Sequence, residues 1–150
     1  MPAATIRDVL RVAERGVAVR NDRPWRVRAL AGAPLARLRH ALAGASFAAP
    51  SEGAPACLVL TTEQALDRTG WLDYGMFLER IVAAARARGL DACCAGTLAP
   101  AHKTIAESLA LGPAEIVVRV LAVGRPDPAA SVPPPEPAPL EELARFQGFD

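Results

Sequence analysis

The chain has 150 residues, of which 51% are hydrophobic, and a mean hydropathy of +0.18. That length and apolar content suit one domain with a single buried core. Its 17 basic and 16 acidic residues leave a net charge of +1, and no block of like charge interrupts the pattern. This excludes the electrostatic footprint of a nucleic-acid or acidic-membrane binder and points to a small molecule or a second subunit as partner.

The N-terminal stretch MPAATIRDVLRVAERG carries charges every few residues, and no other stretch reaches about 18 uncharged apolar residues. Neither a secretory leader nor a membrane span is expected. Cys57, Cys93 and Cys94 form an odd set without the spacing of a disulfide framework, which suits a reducing compartment and makes the cytoplasm the expected location.

Ile6, Val9, Leu10 and Ala13 follow Thr5 at helical spacing, and Asp8 stands where a capping box places its acid, so a helix is predicted over residues 5 to 15, stopped by Gly16. WRVRAL, from Trp25 to Leu30, alternates apolar with basic as a half-exposed strand does. Pro34 opens a short helix, PLARLRHAL. Residues 43 to 55, AGASFAAPSEGAP, are small and aperiodic and read as a loop or as the scar of a lost segment. The continuous apolar run ACLVLTT, Ala56 to Thr62, is a buried strand.

From Leu72 to Arg88 the set Tyr74, Phe77, Leu78, Ile81, Ala84 and Ala85 repeats at three and four, predicting the longest helix, with Gly89 as its C-cap. A short strand over LDACCAGT, a helix over Ala101 to Leu111 and a strand over Glu115 to Gly124 complete the body. The remainder, residues 125 to 150, is a proline-rich extension of a single domain, with one more helical turn or two in PLEELARF. Helices and strands mix without regular βαβ alternation, so the class is α+β.

No metal constellation is present, because His40 and His102 fall on separate predicted helices without a second ligand at one-face spacing. Cys93 and Cys94, adjacent in a strand, point to opposite faces and read as core thiols rather than a redox pair. No G-x-S-x-G elbow, Walker loop or dinucleotide glycine set occurs.

Four blocks in order resemble the FMN-dependent nitroreductase family. AERGVAVRNDRPWRV is similar to its motif A-R-A-P-S-x-x-N-x-Q-P-W-x-V through Arg15, Asn21, Pro24 and Trp25, while Val17, Ala18 and Arg23 depart from it. WLDYGMFLERIVAAARARGLDACCAG resembles the family's central helix and following strand at Asp73, Gly75, Ala84, Ala85, Arg86, Gly89, Leu90 and Cys93. KTIAESLALGPAEIVVRVLAVGRPDP and PLEELARFQGFD resemble its later helix and strand and a C-terminus common in one branch.

The resemblance implies a mixed central sheet with helices packed around a long central helix. It also implies FMN as cofactor, NAD(P)H as reductant, a small-molecule acceptor such as a nitro-aromatic or quinone, and a homodimer. For the flavin site it implies Asn21, Trp25, Ala95 and Gly96, with Arg20 and Arg23 as substitute phosphate partners. Each of these has another reading: Asn21 as a turn residue, Trp25 as a core aromatic, Gly96 as a strand end and the arginines as a solvated basic edge.

Two departures bear on the phosphate. The family's R-R-S-x-R helix has no counterpart here, and Pro135, Glu136 and Pro137 occupy the place of a C-terminal cation pair. A degenerate domain that binds a ligand or protein without redox turnover is therefore the alternative.

Overall fold

In the computed structural model, which describes residues 1–16, 23–43, 53–63, 65–94, 101–130 and 136–148, nine labelled elements follow in chain order. They are α1 (Ala3–Glu14), β1 (Trp25–Ala31), α2 (Gly32–Leu42), β2 (Ala56–Thr62), α3 (Arg68–Arg86), β3 (Asp91–Cys94), α4 (His102–Ser108), β4 (Ile116–Gly124) and α5 (Leu140–Leu143). A short 3-10 turn covers Pro128–Ala130. The α+β class stands.

The four strands form one sheet in the order β1-β2-β4-β3, antiparallel at every pairing. The expected mixed sheet is not formed by these strands, and the connections explain why. Helix α3 links β2 to β3 as a crossover does, and those two strands run in the same direction, but β4 occupies the place between them. Each neighbour is thus antiparallel.

Helices cover both faces of the sheet. On one side Val9 and Ala13 of α1 and Tyr74, Phe77, Ile81 and Ala85 of α3 pack on Leu58, Leu60, Leu121 and Val123. On the other, Leu35, Leu38 and Leu42 of α2 and Ile105 of α4 pack on Cys57, Val59, Val117 and Val120. Val117 and Val120 share a face although three residues apart, because the β2–β4 register shifts between Leu60 and Thr61. A regular strand would put residues of opposite parity on opposite faces.

The predicted helices and strands are present, with differences at their ends. Helix α1 begins at Ala3 with no side-chain cap; Asp8 instead pairs with Arg11 at 2.9 Å, as the i, i+3 spacing permits. Helix α2 begins at Gly32, two residues before the proline, which its first turn tolerates. Helix α3 begins at Arg68, earlier than the apolar period suggested, because the Asp67 carboxylate accepts the Gly70 N–H at 2.8 Å and caps it. Gly16 ends α1 where the Arg80 guanidinium crosses: a Cβ at Gly16 would lie 2.0 Å from Arg80 Cζ.

The end of α3 matches the expectation for Gly89. Its φ is 68°, the Leu90 N–H bonds the Ala85 carbonyl at 3.1 Å and the Gly89 N–H bonds the Arg86 carbonyl at 3.0 Å, the pair of bonds of a Schellman cap. Helix α4 closes with the same two bonds, Leu111 to Ala106 and Ala110 to Glu107, but with an alanine at φ 47°. A left-handed conformation costs an L-residue about 1–2 kcal/mol, partly offset by the lower unfolded-state entropy of a residue with a Cβ. Nothing lies within 4 Å of a Cβ built on Gly89, so backbone conformation alone decides there. Gly89→Ala is expected to lose about 1 kcal/mol of stability and Ala110→Gly to gain up to about 1 kcal/mol, both read from the midpoint of urea unfolding.

Candidate functional site

One end of the sheet gathers the residues with the most chemistry. Trp25 pairs with Thr62, and Thr62 with Ile116, so β1 begins, β2 ends and β4 begins in one row. Strand β3 pairs Asp91 with Gly124 and Cys94 with Leu121, so it leaves the sheet heading toward the same end. Helix α3 also starts there, because it follows directly on β2.

Trp25 sits beneath this end, 8% exposed, with its indole stacked on Phe77 at 4.6 Å and 11° and edge-on to Tyr74 at 6.4 Å. The Tyr74 hydroxyl donates to the Thr61 carbonyl at 3.0 Å, and burial pushes its pKa up. Trp71, one helical turn before Tyr74 and half exposed, leans on it at 6.2 Å. With one ring face on Phe77, Trp25 is chiefly a core aromatic.

The basic residues at this end are paired. Arg28 forks onto the Glu115 carboxylate, with Nη2 2.9 Å from Oε2 and Nε 3.4 Å from Oε1, while Thr61 Oγ1 donates to Oε1 at 2.7 Å. Glu115 immediately precedes β4 and its side chain is only 8% exposed, so this cluster ties β1, β2 and β4 together. The Arg28 and Thr61 hydrogen bonds, acting against the cost of burial, hold the Glu115 carboxyl below its ordinary value of 4.5. Arg23 pairs with Glu14 of α1. Arg26 donates to the Arg23 and Trp25 carbonyls and lies 4.0 Å from Glu63. Nothing in the sequence singles out Glu115, whose partner Arg28 lies 87 residues away.

On the opposite face of the sheet, burial pushes the Cys57 thiol up to about 12 despite the nearby Arg39 guanidinium, so it is a core group. His102 Nε2 accepts the Val117 N–H at 3.2 Å beside the register shift. Cys93 and Cys94, expected in the core, are both exposed. They finish a four-residue edge strand in which Ala92, packed with α3 in the core, is the buried residue. Among the described residues no group of three or more His, Cys, Asp or Glu could hold a metal, and no helix is long and apolar enough to cross a membrane.

Of the six residues implicated by resemblance, the structure places Trp25 and Arg23 at this end of the sheet. Arg20, Asn21, Ala95 and Gly96 lie outside the described residues. The described arginines do not fit a free phosphate cradle: Arg23, Arg26 and Arg28 each have an acidic partner.

A family model described as "Nitroreductase family" matches residues 6–125, and the chain belongs to that family. It is 34% identical over 102 residues to a 4-nitrobenzoate reductase of Pseudomonas putida, covering 65% of this chain and 44% of the relative. It is 33% identical over 79 residues to a chloronitrobenzene nitroreductase of Comamonas testosteroni, covering 53% and 35%. The chain thus spans less than half the length of either curated relative. Among solved structures, the FMN- and NADPH-dependent nitroreductase NfnB of Sphigopyxis sp. strain HMH superposes with a TM-score of 0.86 at 21% identity, covering 99% of this chain and 91% of that one. The FMN-dependent NfnB of Mycobacterium smegmatis, in complex with NADPH, gives 0.80 at 19%, covering 98% and 89%. These likenesses establish the fold.

The Glu115 cluster gives a test by acid. A depressed folded pKa means that Glu115 adds stability fully present above its unfolded value and lost as pH falls through the folded one. Hydrogen bonds to a charged group are worth about 1.5–3 kcal/mol, and the partial exposure of Arg28 discounts that, so Glu115→Gln is expected to cost roughly 1–2 kcal/mol at pH 7. The gap between wild type and variant should narrow as pH drops below about 4, as measured by urea unfolding at stepped pH.

Proposed function

We propose that this chain acts as an FMN-dependent oxidoreductase of nitroreductase type, taking a hydride from NAD(P)H and passing it to a nitro-aromatic, quinone or similar small acceptor. The observation that carries this reading is membership of the family over residues 6–125. The printed activities of the two curated relatives support it. When bound, the flavin would supply the hydride-accepting centre, and the protein's share is to hold the ring and exclude water.

Within this reading the ring contacts fall to Asn21, Ala95 and Gly96, on the two segments that adjoin the Trp25 end of the sheet. Trp25, one ring face already stacked on Phe77, serves as core beneath this end of the sheet. Arg20 and Arg23 are the phosphate partners, and Arg23 must first give up Glu14. We take residues 1–150 as one domain with a proline-rich extension from 125, and place it in the cytoplasm on the strength of its three free cysteines.

The alternative, a degenerate domain without turnover, is favoured by the prior commitment of Arg23, Arg26 and Arg28 to carboxylates. If Arg23, Arg26 and Arg28 stay with their carboxylates, two or three hydrogen bonds to the phosphate go unmade, which costs roughly 3–9 kcal/mol, about 10²- to 10⁶-fold in affinity, with exposure placing the loss at the low end. FMN is therefore expected to bind in the micromolar range or more weakly, and riboflavin, which lacks the phosphate, about equally well, in a fluorescence titration of apo-protein. A marked preference for FMN would mean the arginines have rebuilt the phosphate site. Failure to bind either flavin would sink the oxidoreductase reading in favour of the degenerate one.

We also propose a homodimer through α3. Leu72, Gly75 and Ala83 are exposed and Met76 and Val82 half exposed along one side of that helix, with Glu79 and Arg86 as the charges on it. An apolar stripe of this length on a helix is suited to self-complementary packing about a two-fold axis. Light scattering at micromolar concentration is expected to give twice the 15.7 kDa chain mass; a well-folded monomer would exclude the dimer.

A further inference from the structure

We propose that Glu14 is a specificity-determining residue: by holding Arg23 it sets the chain against ligands that carry a phosphate, and its removal opens a latent anion site at Arg23 and Arg26. The inference rests on the reading that a flavin binds at the Trp25 end of the sheet, and it names the side chain that decides which flavin.

Glu14 is the last residue of α1, and Arg23 stands just before β1. Their ion pair joins the two ends of the stretch between helix and strand. The C-terminal end of a helix carries a partial negative charge, which favours cations there and disfavours a carboxylate. Glu14 is thus an acid at the unfavourable end of its helix. Both partners are open to water, the Arg23 side chain 53% and the Glu14 side chain 42% exposed, and an exposed ion pair contributes little to folding. Stability therefore does not account for this carboxylate.

The three carboxylates paired with arginine at this end of the sheet differ in what they do. Glu115 is buried and ties three strands together, so it cannot be spared. Glu63 reaches Arg26 only at 4.0 Å, and Arg26 is held as well by the Arg23 and Trp25 carbonyls. Glu14 bonds Arg23 directly, and that bond joins no strand to another. The bond from Arg26 to the Arg23 carbonyl brings a second guanidinium to the backbone of Arg23. Two guanidinium groups suit a phosphate, whose oxygens accept from their forked donors. With Glu14 in place, an arriving phosphate must displace a carboxylate and meets its charge together with the negative end of α1. An uncharged ligand tail meets neither barrier.

The full apo-chain and Glu14→Gln, which loses the charge and keeps the side chain's size, are each titrated with FMN and with riboflavin by flavin fluorescence. In the variant FMN is expected to bind roughly two- to fivefold more tightly, as release of an exposed pair allows, with riboflavin unchanged. Raised chloride should shrink the difference, and adding Arg23→Gln to Glu14→Gln should abolish it. An equal shift for both flavins, or none, would overturn the role of Glu14 while leaving the oxidoreductase reading intact. Inorganic phosphate supplies an arm that needs no flavin. At an ionic strength matched with chloride, it should raise the urea midpoint of Glu14→Gln more than that of wild type, and the same curves verify that the variant folds. If neither flavin binds, the oxidoreductase reading fails and the phosphate arm alone decides: equal midpoint shifts in the two proteins would then overturn the inference.

Discussion

Strand β2 has no side facing water. All seven of its residues are buried, so each of its faces must be roofed by helices and each of its edges must be paired. A strand of this kind reads as a continuous apolar run instead of an alternation. The rest of the architecture follows from that requirement: β1 and β4 take the edges, α1 and α3 one face, and α2 and α4 the other. Polar chemistry is thereby driven off the centre of the sheet to its ends. Chemistry-bearing residues accordingly appear where β1 begins and β2 ends, at the point where backbone leaves the sheet and helices no longer close over it.

At that end, under the proposed function, the same residues would have to serve both structure and ligand. Glu115 ties three strands through Arg28 and Thr61, and a buried carboxylate without those partners would be costly. Arg28 is thus the basic residue least able to turn toward a phosphate. Arg26 is held by exposed partners, which are worth little, and is the more available. Arg23 lies between the two, with an exposed acid as partner but a backbone already at φ 44°, a conformation that restricts where its side chain can reach. The order of availability is set by burial of the partner, not by distance from the sheet end.

Much of this fold was legible in the sequence because its elements announce themselves locally. ACLVLTT could be bounded to the residue, since an apolar run between a proline-bearing loop and a polar stretch has one reading. The end of α3 was equally clear, because Gly89 is needed for a left-handed cap. The start of α3 was not, since its first turn carries no apolar period and depends on one bond from Asp67. The Glu115 cluster was invisible for a different reason: its partners are brought together by strand register, and nothing near Glu115 in sequence signals Arg28. The exposure of Cys93 and Cys94 depends on β3 being an edge strand, a property of strand order that a single strand's composition does not contain.

The resemblance to the family divides along the same line. In its second block, Ala84, Ala85 and Leu90 are buried in the core between α3, α1 and the sheet, and Gly89 makes the cap. Those positions are demanded by close packing and by a left-handed turn, and they would be kept by a chain that had lost its cofactor as readily as by one that holds it. In the first block Trp25 is likewise committed to Phe77 and Tyr74. A match built on such residues carries the fold with force and the ligand with much less, because scaffold and chemistry are under separate physical constraints. On the proposed reading, the residues left to separate an active enzyme from a relict are the ones the resemblance assigns to the flavin: Arg20 and Asn21 before β1, and Ala95 and Gly96 after β3. For the described arginines, that reading turns on whether a phosphate would compete with the carboxylates already in contact with Arg23, Arg26 and Arg28.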